Sequence, residues 1–272
     1  ANAGYIDIVE SNIFEEQKLR KLFEKADVCI NLVGILAPSG QQTFSALQAE
    51  LPARIGRMAK ETGCHEVVHV SALGAKLKSQ STYARTKAQG ERGLLRQFPD
   101  AVIMQPSIIF GPGDNFFNRF GQMAMFSPAL PLIGGGTSLM QPVYVGDVAQ
   151  AIMNIIENDS LAGQIYELGG PEVQSLKEIV EYIGEVSGIN ARIIPLNSLL
   201  SAIQAHTLEF FPGKPFSKDN LRALQKDSVC KRVDSLDTLG IRPTRMSEIL
   251  PSYLGEKNIK GRYSEYRNLA GR

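Results

Sequence analysis

Apolar positions along this chain follow two rhythms that take turns, one with the period of a strand and one with the period of a helix. Tyr5-Ile6-Asp7-Ile8-Val9 has the alternation of a strand, and Glu15 to Lys25 then places Leu19, Leu22 and Phe23 on one side of a helix. Ala26 to Gly34 is a nearly unbroken apolar run, the pattern of a strand covered on both faces in a parallel sheet. A helix is predicted over Thr43 to Thr62, with Phe44, Leu47, Leu51, Ile55 and Met58 inward and Gly63 as terminator. Glu66 to Ser71 is the next buried strand, Tyr83 to about Gln97 the next helix, and Ala101 to Gln105 the strand after it. Strand and helix alternating through short connections specify right-handed crossovers and a parallel sheet, so the first half reads as a doubly wound α/β domain.

Beyond Pro106 the rhythm loosens. Phe110-Gly111-Pro112-Gly113-Asp114 and Ile133-Gly134-Gly135-Gly136 suit loops that close over a site. Order returns at Gln141 to Val148, a short strand entering a helix over about Val148 to Ile156. Ser175-Leu176-Lys177-Glu178 is a capping box, and Leu176, Ile179, Val180 and Ile183 form the apolar stripe of the helix it opens. These pieces describe a smaller C-terminal α+β lobe.

Composition narrows the classes. With 272 residues, 43% of them hydrophobic, the chain is long enough for a full core. Lys plus Arg number 29 against 28 for Asp plus Glu, and no basic block stands out, which argues against a nucleic-acid partner. Cys29, Cys64 and Cys230 are odd in number and lack C-x-x-C spacing, which points to a reducing compartment. No stretch approaches the ~18 apolar residues of a membrane span, and the first ten residues lack a signal-peptide core, so a soluble or peripherally attached protein is expected. His65, His69 and His206 have no companions at ligand spacing, and no metal is expected.

The segment Ser81-Thr82-Tyr83-Ala84-Arg85-Thr86-Lys87 carries the candidate chemistry. Tyr83 and Lys87 share a helix face one turn apart. A nearby ammonium favours the phenolate, which lowers a tyrosine's pKa and suits it to proton transfer with a substrate alcohol or carbonyl. The same spacing also occurs as two solvated side chains on an ordinary amphipathic helix, so the surrounding segments decide its meaning.

Those segments are Asn31-Leu32-Val33-Gly34 at a strand end, Ser71-Ala72-Leu73-Gly74-Ala75 at another, Tyr83 with Lys87, Gln105 to Asp114, and Pro142 to Val148. Taken together they resemble the extended and atypical short-chain dehydrogenase/reductase superfamily over essentially the whole chain. Within it, Asp114 to Phe120, Leu130 to Gly136, Gln141 to Val148 and the tail Gly261-Arg262-Tyr263 look most like the group of the NAD(P)-binding accessory subunit of respiratory complex I and its bacterial relatives.

The resemblance implies a Rossmann-like domain over residues 1–125, with 140–160 returning to it, and a substrate or partner lobe made of 126–139 and 161–272. It implies NADP or NAD as cofactor. Tyr83 would be the acid/base, Lys87 would hold the nicotinamide ribose, and Ser71 or Ser107 would hydrogen-bond the reacting oxygen. Asn12 and Ile13 would flank the adenine, Leu32, Val33 and Gly34 would pass under the cofactor with Val70 beside them, and Pro106, Ser107, Ile108 and Ile109 would line the nicotinamide. Ser71 precedes Tyr83 by 12 residues, a shorter interval than in typical extended members.

One departure stands out. The superfamily opens with a strand, a G-x-x-G-x-x-G turn and a helix that hold the pyrophosphate, and nothing here supplies them. The expectation is that roughly sixty residues, a βαβ unit and one more strand, precede Ala1 in the natural protein; the alternative is a fold without its main dinucleotide grip. A second departure is Met140-Gln141 where sugar-nucleotide epimerases usually carry a diphosphate-binding Arg.

Two functions follow from the resemblance. One is an accessory subunit of the respiratory NADH:quinone oxidoreductase whose cofactor is mainly structural. The other is an NAD(P)-dependent reductase, dehydrogenase or epimerase working through Tyr83 and Lys87. Leu196 to Phe211, and the basic-aromatic tail from Lys257 to Arg267, are candidate docking surfaces. The expected location is the cytoplasm, or the inner face of the energy-transducing membrane, the matrix side if eukaryotic.

Overall fold

The structure is a computed structural model that describes residues 6–126, 129–189, 192–196, 224–231 and 235–255. The segment 197–223, which holds nearly all of the apolar stretch Leu196 to Phe211, and the tail from 256 lie outside the described residues.

A four-stranded parallel sheet forms the centre, in the order β1 (Val28–Asn31), β2 (Glu66–Val70), β3 (Val102–Pro106) and β8 (Ile165–Leu168). Its strands come from the apolar runs; β2 and β3 are covered on both faces, whereas β1, at the edge of the described sheet, leaves Ile30 42% exposed and so departs from the expected two-sided burial. On β2 the side chains alternate between layers. Val67 joins Ile103, Leu94, Ile55 and Met58 under the helices α2 (Leu51–Thr62) and α3 (Thr82–Gln97). Val68 joins Val102, Met104 and Ile155 under α5 (Val145–Ile156) on the opposite face. A helix on each face makes the sheet doubly wound.

Helix α2 ends where Gly63 takes φ +77, the left-handed cap its lack of Cβ permits. It is preceded by a π-helical stretch, Ser45–Glu50, which the apolar periodicity did not announce. That stretch brings the carbonyl of Gln48 against α3 so closely that a Cβ on Gly90 would lie 2.0 Å from it. Gly90→Ala therefore forces two helix backbones apart, and a loss of about 1–3 kcal/mol is expected in denaturant melts.

The second lobe has its own core. Phe117, from α4 (Phe117–Phe126), packs with Phe110, with Leu176, Ile179 and Ile183 of α6 (Leu176–Val186), and with Leu250 of a later helix, Met246–Leu254. All four predicted stripe residues of α6 are buried, and the Ser175/Glu178 capping box is formed. Short ladders complete the fold: β4 (Ile109–Phe110) with β7 (Val143–Tyr144), β5 (Ala129–Ile133) with β10 (Arg192–Leu196), and β6 (Leu139–Met140) with β9 (Gln174–Ser175).

Three expectations change. Residues 6–10 belong to no strand, and Ile6 and Ile8 are about nine-tenths exposed, at 89% and 91%. Alternation alone does not make a strand, because an extended backbone also needs a ladder partner. The return of the chain to the sheet runs further than 140–160, since β8 at 165–168 pairs with β3 and the helix Ser235–Thr238 places Leu236 in the same core. Conversely α4, expected within the first domain, packs into the second lobe's core. Among the described residues no helix is long and apolar enough to cross a membrane.

Candidate functional site

In an open parallel sheet the loops that follow the carboxyl ends of the strands form the natural ligand crevice. Here β2 delivers Val70 and Ser71 to that edge, and β3 delivers Pro106 and Ser107. Helix α3 starts beside them. Its N-cap, Ser81, accepts from the Ala84 amide at 3.2 Å, which fixes where the helix begins and so where Tyr83 and Lys87 project.

Lys87 is buried, 4% exposed, and its ammonium donates to the Val70 carbonyl at 3.1 Å. Burial lowers its pKa to about 8, opposed by the neighbouring Glu91 carboxylate. Gly34 sits directly against it, for a Cβ there would lie 3.3 Å from Nζ. The strand-end glycine is thus the spot where backbone and ammonium can share the crevice. Gln48 holds the two parts in register: its amide donates to the Ile35 carbonyl at 2.7 Å and its oxygen accepts from Thr86 at 2.9 Å. The π-helical turn thereby ties the loop after β1 to the helix that carries Lys87.

Tyr83 departs from expectation. Its pKa is raised, to about 12, by burial. Desolvation of the phenolate is the cause, and the Lys87 ammonium one turn away donates to the Val70 carbonyl. The ring meets Phe44 edge-on, with centroids 6.2 Å apart.

Ser71 is 5% exposed and its hydroxyl donates to the Glu91 carboxylate, which also accepts from Gln105 at 2.8 Å. Burial raises the Glu91 pKa, while the Ser71 and Gln105 bonds and Lys87 pull it down. Ser71 thus faces a carboxylate inside the protein rather than a reacting oxygen. Ser107 donates to the Ser228 carbonyl at 3.0 Å. Below them His69 is 1% exposed, its Nδ1 accepts from the Asn31 amide at 2.9 Å, and Nε2 is buried without a hydrogen-bond partner among the described residues. Its pKa falls to about 3, through burial first and Lys87 second.

A cavity of about 660 Å³ opens beside Tyr83. It brings together Val70, Ser71, Tyr83, Pro106, Ser107, Ile108 and Ile109 of the expected residues. Leu32, Val33, Gly34 and Lys87 lie on the β1 side and do not line it. Leu32 is 66% exposed, and the Asn31 side chain accepts from the Val33 amide at 3.1 Å, turning the chain at the strand end. Asn12 and Ile13 stand further off, at the start of α1 (Glu16–Phe23): Asn12 accepts from the Phe14 amide at 3.0 Å and the Ile13 carbonyl accepts from Arg54 at 2.9 Å.

Several site residues carried no motif. Glu91 had a readable signal, being one turn beyond Lys87 on the face it shares with Tyr83. Leu224, Lys226, Asp227 and Ser228 had none, since a ladder-like contact brings them there: the Ser228 amide donates to the Leu139 carbonyl at 2.7 Å and the Gln141 amide to the Ser228 carbonyl at 3.0 Å. Tyr253 fixes the opposite wall, donating to Asp114 at 2.8 Å and accepting from the Gly111 amide at 3.2 Å. No group of three or more His, Cys, Asp or Glu that could hold a metal ion occurs among the described residues.

The arrangement suits part of a nicotinamide dinucleotide. A glycine-lined approach, a buried ammonium and an apolar wall are present for the ribose and the ring. No G-x-x-G-x-x-G turn occurs among the described residues.

Comparison with known proteins agrees with this geometry. The model of the NAD dependent epimerase/dehydratase family matches residues 1–169. The chain is 30% identical over 270 residues to NADH dehydrogenase (ubiquinone) 1 alpha subcomplex subunit 9, mitochondrial, of Rattus norvegicus, covering 98% of this chain and 70% of the relative. The Arabidopsis thaliana protein of the same name is 32% identical over 226 residues, 79% of this chain and 56% of its own. Among solved structures, MoeE5 in complex with UDP-glucuronic acid and NAD superposes with a TM-score of 0.71 at 13% identity, covering 96% of this chain and 87% of that one. DesIV from Streptomyces venezuelae, a dTDP-glucose 4,6-dehydratase with NAD and TYD bound, gives 0.66 at 18% identity, covering 96% and 80%. At such identities the two structures speak for the fold.

Proposed function

The chain belongs to the NAD dependent epimerase/dehydratase family, and on that premise we propose that it is an accessory subunit of a respiratory NADH:quinone oxidoreductase that holds a nicotinamide dinucleotide mainly as a structural element. The observation that carries this reading is the likeness, nearly end to end, to the mitochondrial alpha subcomplex subunit 9. The site supports it. The three expected catalytic side chains are turned to other uses: Tyr83 is held as a neutral phenol, Lys87 donates to a backbone carbonyl, and Ser71 donates to Glu91. A phenol at about 12 is a poor proton shuttle at neutral pH, whereas an ammonium beside Gly34 remains well placed for ribose hydroxyls. Association with partner subunits at the membrane surface, on the matrix side in a mitochondrion, goes with this proposal.

Native mass spectrometry of the protein taken from its own membranes under mild salt tests it. Co-purification with respiratory-chain subunits and one retained dinucleotide per chain are expected. A free species that sheds its nucleotide readily would refute the proposal. Tyr83→Phe keeps the shape of the ring, so association with the complex is expected to survive it. Dinucleotide affinity also has a sign in pH: the Lys87 ammonium is present below about 8 and neutralised above it, so affinity falls as pH rises through that value. Titrations at pH 6.5, 8 and 9.5 read it directly.

A second reading, a reductase, dehydrogenase or epimerase acting on a small hydroxyl or carbonyl compound, is favoured by one observation: Tyr83 borders the cavity. Turnover abolished by Tyr83→Phe would establish it.

A further inference from the structure

The cavity beside Tyr83 has a wall chemistry that the proposed function does not use. Its lining is mainly apolar, with Leu36, Leu73, Ile108, Phe110, Phe116 and Met140 among its residues, and about 660 Å³ lies in the range of about 300–1,000 Å³ typical of small-molecule sites. The polar groups on the wall are largely committed to the protein itself. Ser71 is bound to Glu91 and Ser107 to Ser228, and the Ser81 hydroxyl caps α3. At the position where sugar-nucleotide enzymes usually place an arginine, the Gln141 side chain donates to the Gly170 carbonyl at 2.8 Å and accepts from the Cys230 amide at 2.9 Å. A ligand rich in hydroxyls would have to leave its own polar groups, or these, without partners, which costs about 1–3 kcal/mol for each.

Charge at the wall is asymmetric in a way a formal count hides. Of the two carboxylates, Asp114 accepts from the Phe117 and Asn118 amides at 2.6 and 3.2 Å and from Tyr253, and Asp227 accepts from the Leu139 amide at 2.8 Å. Both carboxylates are answered by donors of the fold. Lys226 also lines the cavity, is exposed, and has no ion pair among the described residues. Arg119 of α4 is a second cation on the wall.

We infer that this cavity binds a single-chain amphiphile with an anionic head, its hydrocarbon tail along Leu73, Phe110 and Phe116 and its carboxylate or phosphate at Lys226. Tail burial supplies most of the affinity, and the lysine selects the head. The amphiphile occupies the part of the cavity lined by Leu73, Phe110, Phe116 and Lys226, beside the Pro106–Ile109 wall that the nicotinamide would meet, and the ribose ammonium, Lys87, does not line the cavity.

The test uses 11-(dansylamino)undecanoate, whose fluorescence rises in apolar surroundings, on the intact natural protein. The inference expects saturable binding of one probe per chain, displaced by laurate and not by UDP-glucose. Lys226→Glu reverses an exposed charge and is expected to weaken laurate by about threefold to tenfold. Leu73→Glu, on a half-buried loop residue, sets a carboxylate against the tail and is expected to weaken it more. Dinucleotide retention, read on the same samples, is expected to be unchanged in both variants and shows that they are folded. Absence of binding, displacement by UDP-glucose in preference to laurate, or laurate affinity untouched by both substitutions would each overturn the inference while leaving the accessory-subunit reading standing.

Discussion

Lys87→Met is expected to lower dinucleotide affinity by about ten- to a hundredfold, the worth of one hydrogen-bonding arrangement to a charged group. The reasoning is positional. The ammonium is the one cation at the strand-end glycine among the described residues, held at the Val70 carbonyl 3.1 Å away, so nothing described nearby can replace it. Lys87→Arg is expected not to restore binding. The ammonium is buried at the Val70 carbonyl beside the Gly34 backbone, a position that a longer side chain with a planar guanidinium does not reproduce. Calorimetric titration of NADH and NADPH into the two variants measures both effects, and unaltered affinity in Lys87→Met would remove this residue from the binding site.

The second large effect is on stability in acid. His69 takes up its proton at about 3 in the folded protein, against an ordinary value of 6.5. Between those values the unfolded chain binds a proton that the folded chain refuses, so the contribution of His69 is fully present above 6.5 and is lost as pH falls towards 3. Over that window the loss is on the order of 4 kcal/mol, a large part of the roughly 5–15 kcal/mol by which domains are stable. His69→Gln keeps an acceptor for Asn31 without a titrating ring. Its denaturation free energy, followed from pH 7 to pH 4, should fall less steeply than that of the parent, and parallel curves would contradict the assignment.

How much of this could be read in the sequence depended on whether its cause was local. The strands Glu66–Val70 and Val102–Pro106 were legible because a strand covered on both faces must be apolar throughout, and Val28–Asn31 shows the same apolar run although Ile30 is exposed at the edge. The capping box at Ser175 was legible because its partners are three residues apart. The Tyr83 pKa was not. Its direction is set by burial of the ring, a property of the packed fold and not of the Tyr83–Lys87 spacing. Ser71 was assigned to a substrate because its partner Glu91 lies 20 positions on and belongs to no motif. The strand expected at Tyr5 to Val9 failed for the opposite reason, since a correct local pattern found no ladder in the described residues. The part of the site contributed by 224–231 rests on contacts between segments some 90 residues apart, such as Leu139 with Asp227, and no spacing rule reaches that far.

The bond from Tyr253 to Asp114 spans 139 positions, and that from Tyr253 to the Gly111 amide partner spans 142. Contacts of such long range are made late, because the chain between them must be ordered first. During synthesis all four strands of the central sheet are translated before the helix Met246–Leu254, so the loop Gly111–Asp114 still awaits its anchor when the sheet can already assemble. The cavity wall is therefore the last part of the site to be set.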